Sequence, residues 1–331
     1  MTTARIVRFY MTGGPEVLKI EAVDVPEPGP GDVRIRSRAL GLNRAESMFR
    51  SGAYVVEPHY PAKIGYEVAG IVDAVGPDVE TVAVGDQVSL LPLSPLTEYA
   101  VHGELAIAPA RLIVKHPENL TFDEAAAAWM QYLTAYGALV EIAQVSKGDW
   151  VVIPAASSSV GLAAVQIARR AGATPIALTR GASKISKLLD AGAEHVIATS
   201  QEDLVARINE ITGGKGARVT FDPVGGKGLA LLAEAASPEG LIFVYGSLAN
   251  EVTALPILPV LSKHLTIRGY DVFELANKPG RFALALEDIT SGLADGSLKP
   301  IIDRVFEFDN FVEAHRYLES NQQFGKIVVS V

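Results

Sequence analysis

The sequence contains no cysteine. Disulfides and every Cys-ligated zinc site, structural or catalytic, are therefore excluded. Its histidines, at 59, 102, 116, 195, 264 and 315, show no HxxxH or HxH spacing. Only a site built from separated His and carboxylate side chains remains open, and no metal is expected. Positive charge is also scarce. Lys and Arg total 29 against 38 Asp and Glu, a formal net charge of −9. Nucleic-acid binding draws on clustered cations that displace counterions, and no such cluster occurs, so nucleic acid is not an expected partner. No apolar run approaches the roughly 20 residues that span a bilayer. The opening stretch MTTARIVRFYMTGGPEVLKI lacks the apolar core of a secretory signal. The expectation is a cytoplasmic protein without a membrane partner.

With 49% hydrophobic and 20% charged residues over 331 positions, the chain has enough apolar material for two globular domains. The first 120 residues read as β-rich. In GDVRIRSRALGLN, Val33, Ile35 and Ser37 alternate with Arg34, Arg36 and Arg38. YEVAGIVDAVG and VAVGDQVSLL follow between Gly, Pro and Asp turns, a spacing that predicts a barrel-like β unit. The pattern changes at Thr121, which with Glu124 forms a capping box before an alanine-rich helix. Strands are then predicted at 150–154, 174–179, 194–197, 217–222 and 240–245. Helices are predicted at 160–171, 182–191, 201–212 and 226–236. This is the rhythm of a doubly wound parallel sheet. One more strand is expected within 264–273, then a helix at 279–294 and a strand–helix–strand tail that resembles the first domain.

The stretch VVIPAASSSVGLAAVQIARRAGA (151–173) combines a short apolar strand, a turn of small residues and an amphipathic helix. Val160, Ala164, Ile167, Ala168 and Ala171 share one face of that helix. Free N–H groups and the positive helix end make such a turn a pyrophosphate site. Ser158 stands where these loops usually carry glycine. The hydroxyls of Ser157 to Ser159 then replace part of the backbone contact or cap the helix. A capped helix in a domain that binds nothing fits the same residues, and the loop alone does not choose. About 20 residues on, where an NAD site carries an acid for the ribose hydroxyls, the chain has Thr179, Arg180, Ser183 and Lys184. Two cations and two hydroxyls suit a 2′-phosphate, so NADPH is favoured over NADH. Surface charges at a helix start are the alternative. FDPVGG (221–226) and FVYGS (243–247) put small residues at two further strand ends.

Taken together, GLNRAESMFRSGAY (41–54), GYEVAGIVDAVG (65–76), VGDQV (84–88), MQYLTAYGAL (130–139), the serine-rich loop, FDPVGG and ESNQQFGKIVV (319–329) resemble one family in order and spacing. It is the zinc-free medium-chain dehydrogenase/reductase family of the quinone oxidoreductase kind, and the resemblance covers nearly the whole chain. It implies an α/β protein with a GroES-like catalytic domain in two segments, 1–125 and 268–331. A Rossmann NADP(H)-binding domain at 126–267 lies between them in sequence, with NADPH in a cleft between the domains. It implies a homodimer joined through the Rossmann edge strand near 264–270. Carried over by position, Asn43 and Tyr54 line the nicotinamide end and are the catalytic candidates. Thr134 touches the cofactor. Ser158, Ser159, Val160 and Gly161 hold the pyrophosphate, and Thr179, Arg180 and Lys184 the adenosine phosphate end. Val224, Gly246 and Ser247 approach the nicotinamide. Asn321 and Lys326 reach the cofactor from the C-terminal segment. The zinc branch has a histidine where this chain has Tyr66, between Gly65 and Glu67.

Without a Lewis acid, hydride delivery suits an acceptor that is already activated, such as a quinone or another conjugated carbonyl. The expected activity is NADPH-dependent reduction of such a small molecule. An enoyl-thioester reductase is the alternative, and a non-catalytic NADPH-binding protein the reading from another class. Tyr54 reads either as proton donor or as a wall of the cleft. Tyr66 and Tyr132 are second choices for the proton. Glu67 and Asp86 are expected to make polar contacts within the β domain, and His59 to lie at the surface.

Overall fold

The computed structural model describes residues 2–93 and 95–331. The chain divides into two compact units, one formed by Met1–Met130 with Pro300–Val331 and the other by Gln131–Lys299.

In the two-segment unit, the strand Asp32–Gly41 is central. It pairs antiparallel with Glu67–Val75, Leu105–Pro109 and Lys326–Ser330. The sheet extends through Gln87–Leu90 to Ile113–Lys115 on one side and, in parallel, to Ile302–Glu307 on the other. A separate three-stranded sheet joins Lys19–Val25, Thr2–Phe9 and Ala62–Lys63. The alternation of Asp32–Gly41 is obeyed at Val33 and Ile35, which are fully buried. Arg34 departs from it. Its side chain is buried, and its guanidinium donates to Asp73 at 2.7 Å and Glu27 at 3.0 Å. The Thr121 capping box forms: Glu124 N–H donates to Thr121 Oγ1 at 3.2 Å, and Thr121 N–H to Glu124 at 2.9 Å. The short helix it starts, Phe122–Ala126, packs Ala125 and Ala126 against Ala39, Ala69 and Val328.

In the contiguous unit, six parallel strands stand in the order His195–Ala198, Thr174–Thr179, Trp150–Ile153, Ala217–Asp222, Ala236–Val244, Thr266–Gly269. The first strand in sequence is thus third in space, with the order reversing beside it, as in a Rossmann sheet. Trp150–Ile153 is apolar because it is an interior strand covered on both faces. The helix Ser159–Arg170 buries Leu162, Ala163 and Val165 as well as the expected Ala164, Ile167 and Ala168. The helices Ile185–Asp190, Leu204–Thr212 and Gly228–Ala235 fall within their predicted spans.

The boundaries differ from those read in the sequence. The contiguous unit begins at Gln131, because Phe122–Ala126 packs on the β sheet of the other unit. It runs on to Lys299 rather than 267. Thr266–Gly269 completes the parallel sheet, and the helix Pro279–Asp295 is tied back by Arg170–Asp288 at 2.9 Å and by Arg281–Glu141. The alanine-rich helix expected after Thr121, with its exit near Lys147 and Gly148, is broken: Phe122–Ala126 is followed by Trp129–Tyr136, which continues into a π-helical segment, Gly137–Ile142. Among the described residues, no helix is long and apolar enough to cross a membrane.

Candidate active site

In the two-segment unit, strand register brings distant residues together. Leu42 N–H donates to Ile327 O at 3.0 Å, and Gly41 pairs with Glu67. Asn43, Glu67 and Lys326 therefore meet although they come from three parts of the chain. Lys326 Nζ donates to Asn43 Oδ1 at 2.7 Å and to the Glu67 carboxylate. Asn43 Nδ2 donates to Glu67 at 3.0 Å and to Gly41 O at 3.2 Å. The second Glu67 oxygen accepts from Met130 N–H at 2.8 Å. Lys326 and Glu67 are almost wholly buried, and this mutual bonding is what makes burying both charges tolerable.

Glu46 lies beside this group. It sits three residues after Asn43 in the helix Arg44–Ser51, and its carboxylate accepts from Asn43 N–H at 3.0 Å and Tyr66 N–H at 2.9 Å. Burial pushes its carboxyl up to about 7, against those two N–H groups and the Lys326 charge. His102 Nε2 is 3.8 Å from Glu46. Burial, and secondly the Lys326 charge, holds that imidazole down to about 3, so it is neutral. Gly65 makes the close approach of His102 available. Its φ of +115° suits glycine, and a Cβ there would lie 2.1 Å from the His102 ring. Tyr66 follows, buried, with its hydroxyl 3.3 Å from that of the half-buried Tyr54.

In the contiguous unit, the candidates other than Thr134 lie at or near carboxyl ends of the parallel sheet, where open α/β sheets bind ligands. Ser158 is the N-cap of Ser159–Arg170, and its Oγ accepts from Gly161 N–H at 3.1 Å. Its own backbone is extended (φ −74°), so glycine is not required there. The left-handed position of the loop is Ala155, with φ of +47°. Gly161 is the glycine that packing demands, since a Cβ would lie 2.7 Å from Ala155 O. Lys184 Nζ donates to Ser157 Oγ at 3.1 Å, which ties the cation to the loop. Thr179 is buried at its strand end, and Arg180 is exposed beside it. Asp222 accepts from Val224 N–H at 2.8 Å and Gly225 N–H at 3.1 Å. Leu248 N–H and Ala249 N–H each donate at 3.0 Å to Pro223 O and Val224 O, so Val224, Gly246 and Ser247 form one loop pair. Thr134 is buried on Trp129–Tyr136.

Several expectations change on this geometry. The Lys326 ammonium, expected to reach the cofactor, is buried and bonded to Asn43 and Glu67. Tyr132 is fully buried, with its hydroxyl donating to Gln166 at 2.8 Å, and serves as a strut of the core. Asn321 is exposed and accepts from Arg44 Nη2 at 2.5 Å. Glu67 makes the polar contacts expected of it, Asp86 pairs with Lys115 at 2.8 Å, and His59 is exposed. Glu46 and His102 were not singled out in the sequence. The Asn43–Glu46 spacing is a capping-box signal that points to Glu46. Nothing local points to His102.

Residues 29–155 match the alcohol dehydrogenase GroES-like domain, and residues 159–291 the zinc-binding dehydrogenase family. A quinone oxidoreductase of Pseudomonas aeruginosa is 30% identical over 98% of this chain and 99% of its own length. The chain belongs to the medium-chain dehydrogenase/reductase family, in its quinone oxidoreductase-like branch. Another relative in this family, a 2-haloacrylate reductase of a Burkholderia species, is 30% identical over 97% of both chains. The Escherichia coli quinone oxidoreductase solved in complex with NADPH superposes with a TM-score of 0.89 at 28% identity, covering 99% of this chain and 100% of that one. For a medium-chain dehydrogenase/reductase, the tyrosine at 66 is a marked departure from the zinc branch. Among the described residues, no group of three His, Cys, Asp or Glu side chains is placed to hold a metal ion.

Proposed function

We propose that this chain is an NADPH-dependent reductase that delivers hydride to a quinone or another conjugated carbonyl. The observation that carries the reading is the loop after Trp150–Ile153. Its capped helix start, the cradle opened by Gly161, and the Lys184–Ser157 contact beside Arg180 form a donor set for pyrophosphate and a 2′-phosphate. No acid stands at the ribose position. The solved relative named with NADPH supports the same assignment. We assign Ser158, Ser159, Val160 and Gly161 to the pyrophosphate, and Thr179, Arg180 and Lys184 to the adenosine phosphate end. Thr134, Val224, Gly246 and Ser247 take further cofactor contacts, with Asn321 assigned from the C-terminal segment.

Bound NADPH supplies the hydride. Asn43, fixed by Lys326, Glu67 and Glu46, orients the reacting end, and Tyr54 donates the proton that completes the reduction. A phenol is protonated at neutral pH and suits that role. The relative named for 2-haloacrylate, an alkene conjugated to a carboxyl group, favours a second reading in which the acceptor is a C=C bond, as in an enoyl thioester.

Mixing the purified protein with NADPH and, in turn, a simple quinone, an enal and a 2-enoyl thioester tests the choice. Turnover of the quinone or enal is expected. Turnover of the thioester alone selects the second reading, and oxidation of NADPH by none of them overturns both. Two copies are proposed to join through the edge strand Thr266–Gly269, beside the exposed apolar Leu255, Ile257, Leu258 and Leu261. Sedimentation at the mass of two chains is the expected result. Dependence on NADPH supports a cytoplasmic setting.

A further inference from the structure

We propose that Tyr66 is a positioning residue that aims and activates the Tyr54 proton. This rests on the assignment of Tyr54 as donor and goes beyond it. The two hydroxyls are 3.3 Å apart, and either can donate. When Tyr66 donates, the Tyr54 O–H is turned away from its neighbour and toward an acceptor. When Tyr54 has given up its proton, the phenolate keeps the Tyr66 O–H as a charge-assisted donor, which is the stronger arrangement. The contact therefore tightens as the reaction proceeds, the condition for lowering a barrier rather than merely binding.

The surroundings hold Tyr66 in place for this. It is buried, and its backbone N–H is held by Glu46 at 2.9 Å. It enters the strand Glu67–Val75 straight after Gly65, whose left-handed φ and contact with His102 fix where the chain turns. Glu67, the next residue, is anchored by Lys326 and Met130 N–H. Tyr54, by contrast, lies just after the helix Arg44–Ser51, in a segment whose next residue, Val55, is 89% exposed. A tyrosine fixed by buried contacts thus meets one on a more exposed segment. The reaction balances: the acceptor gains a hydride from NADPH and a proton from Tyr54 Oη, and the phenolate takes a proton back from water.

The test is Tyr66→Phe, Tyr54→Phe and the double variant, assayed with NADPH and an enal across pH. Tyr66→Phe is expected to lower kcat roughly 10- to 100-fold, the worth of one hydrogen bond to a charged group. KM and NADPH affinity stay within about twofold. The alkaline fall in rate moves to higher pH, because the phenolate loses its donor and the Tyr54 pKa rises. The double variant falls no further than Tyr54→Phe alone. Additive losses, or an alkaline limb that does not move, overturn the proposal. One arm depends neither on turnover nor on Tyr66→Phe folding. Ultraviolet titration of the wild type, with Tyr54→Phe as the difference, is expected to find Tyr54 ionising below the ordinary phenol value near 10. Ionisation at or above it overturns the role of Tyr66. Tyr66→His, which keeps a ring N–H donor at that place, is expected to retain more activity than Tyr66→Phe. If the wild type oxidises NADPH with no acceptor, the functional reading fails, and the titration still decides the tyrosine pair.

Discussion

In the two-segment unit, Glu46, Glu67 and Lys326 are buried and held by one another or by backbone N–H groups, and His102 is buried 3.8 Å from Glu46. In the contiguous unit the cations assigned to the cofactor lie outside the apolar core, on the segment after Thr174–Thr179. Its one fully buried charged side chain among the described residues, Asp222, is satisfied by the turn it shapes. The contrast follows from the sheets. A doubly wound parallel sheet is apolar on both faces and presents chemistry only at its strand ends. An antiparallel barrel-like sheet brings side chains from remote strands side by side and lets polar groups satisfy one another inside. In the first unit, fold stability and the proposed site draw on the same side chains. In the second they are separable.

Substituting a cation in each unit gives the sharpest break of that comparison. Lys326→Met leaves Glu67 charged and unpaired in the interior and removes the donor to Asn43 Oδ1. Loss of about 3–5 kcal/mol of unfolding free energy is expected from urea denaturation. Lys184→Met, on a loop, is expected to change stability by no more than about 0.5 kcal/mol.

The next effect is a pH dependence. Glu46 is raised from 4.5 to about 7. The stability it contributes is complete below its unfolded value and is lost as pH rises through 7. His102, lowered from 6.5 to about 3, has the opposite sign. Its contribution is present above 6.5 and is lost as pH falls toward 3. Comparing wild type with Glu46→Gln cancels the histidine. Between pH 4.5 and 8, the wild type is expected to lose roughly 3 kcal/mol relative to that variant. A constant difference across this range would contradict the buried, titrating carboxyl.

Removing both cations, Arg180→Ala with Lys184→Ala, is expected to weaken NADPH binding by roughly 10- to 100-fold and leave NADH within about threefold. Calorimetric titration distinguishes this from a general loss of the loop. The smallest effect concerns the left-handed alanine. Ala155→Gly relieves a φ of +47° and is expected to stabilise by at most about 1 kcal/mol, read as a small rise in Tm.

The contiguous unit was the more legible in sequence for the same physical reason. Apolar strands and amphipathic helices carry their period locally, and the strands at 174–179 and 217–222 fall where the pattern put them. In the loop, the helix cap offered for its serines forms at Ser158, where the sequence marked a missing glycine, while the backbone that turns left-handed is at Ala155, which nothing in the sequence singled out. In the β-rich unit the strands were visible and the polar cluster was not. Lys326 lies 283 residues after Asn43 in the chain, and only the pairing of the last strand with Asp32–Gly41 brings them together. His102 reaches Glu46 through an approach that depends on Gly65, and no spacing in the sequence encodes it. The shift from α to π at Gly137 likewise has no local signal.

The most direct test of the account is titration of the purified wild-type protein with NADPH and with NADH, followed by cofactor fluorescence. The account predicts clear preference for NADPH, at least tenfold, matching a 2′-phosphate held by Arg180 and Lys184. Equal affinity for the two, or binding of neither, would contradict it.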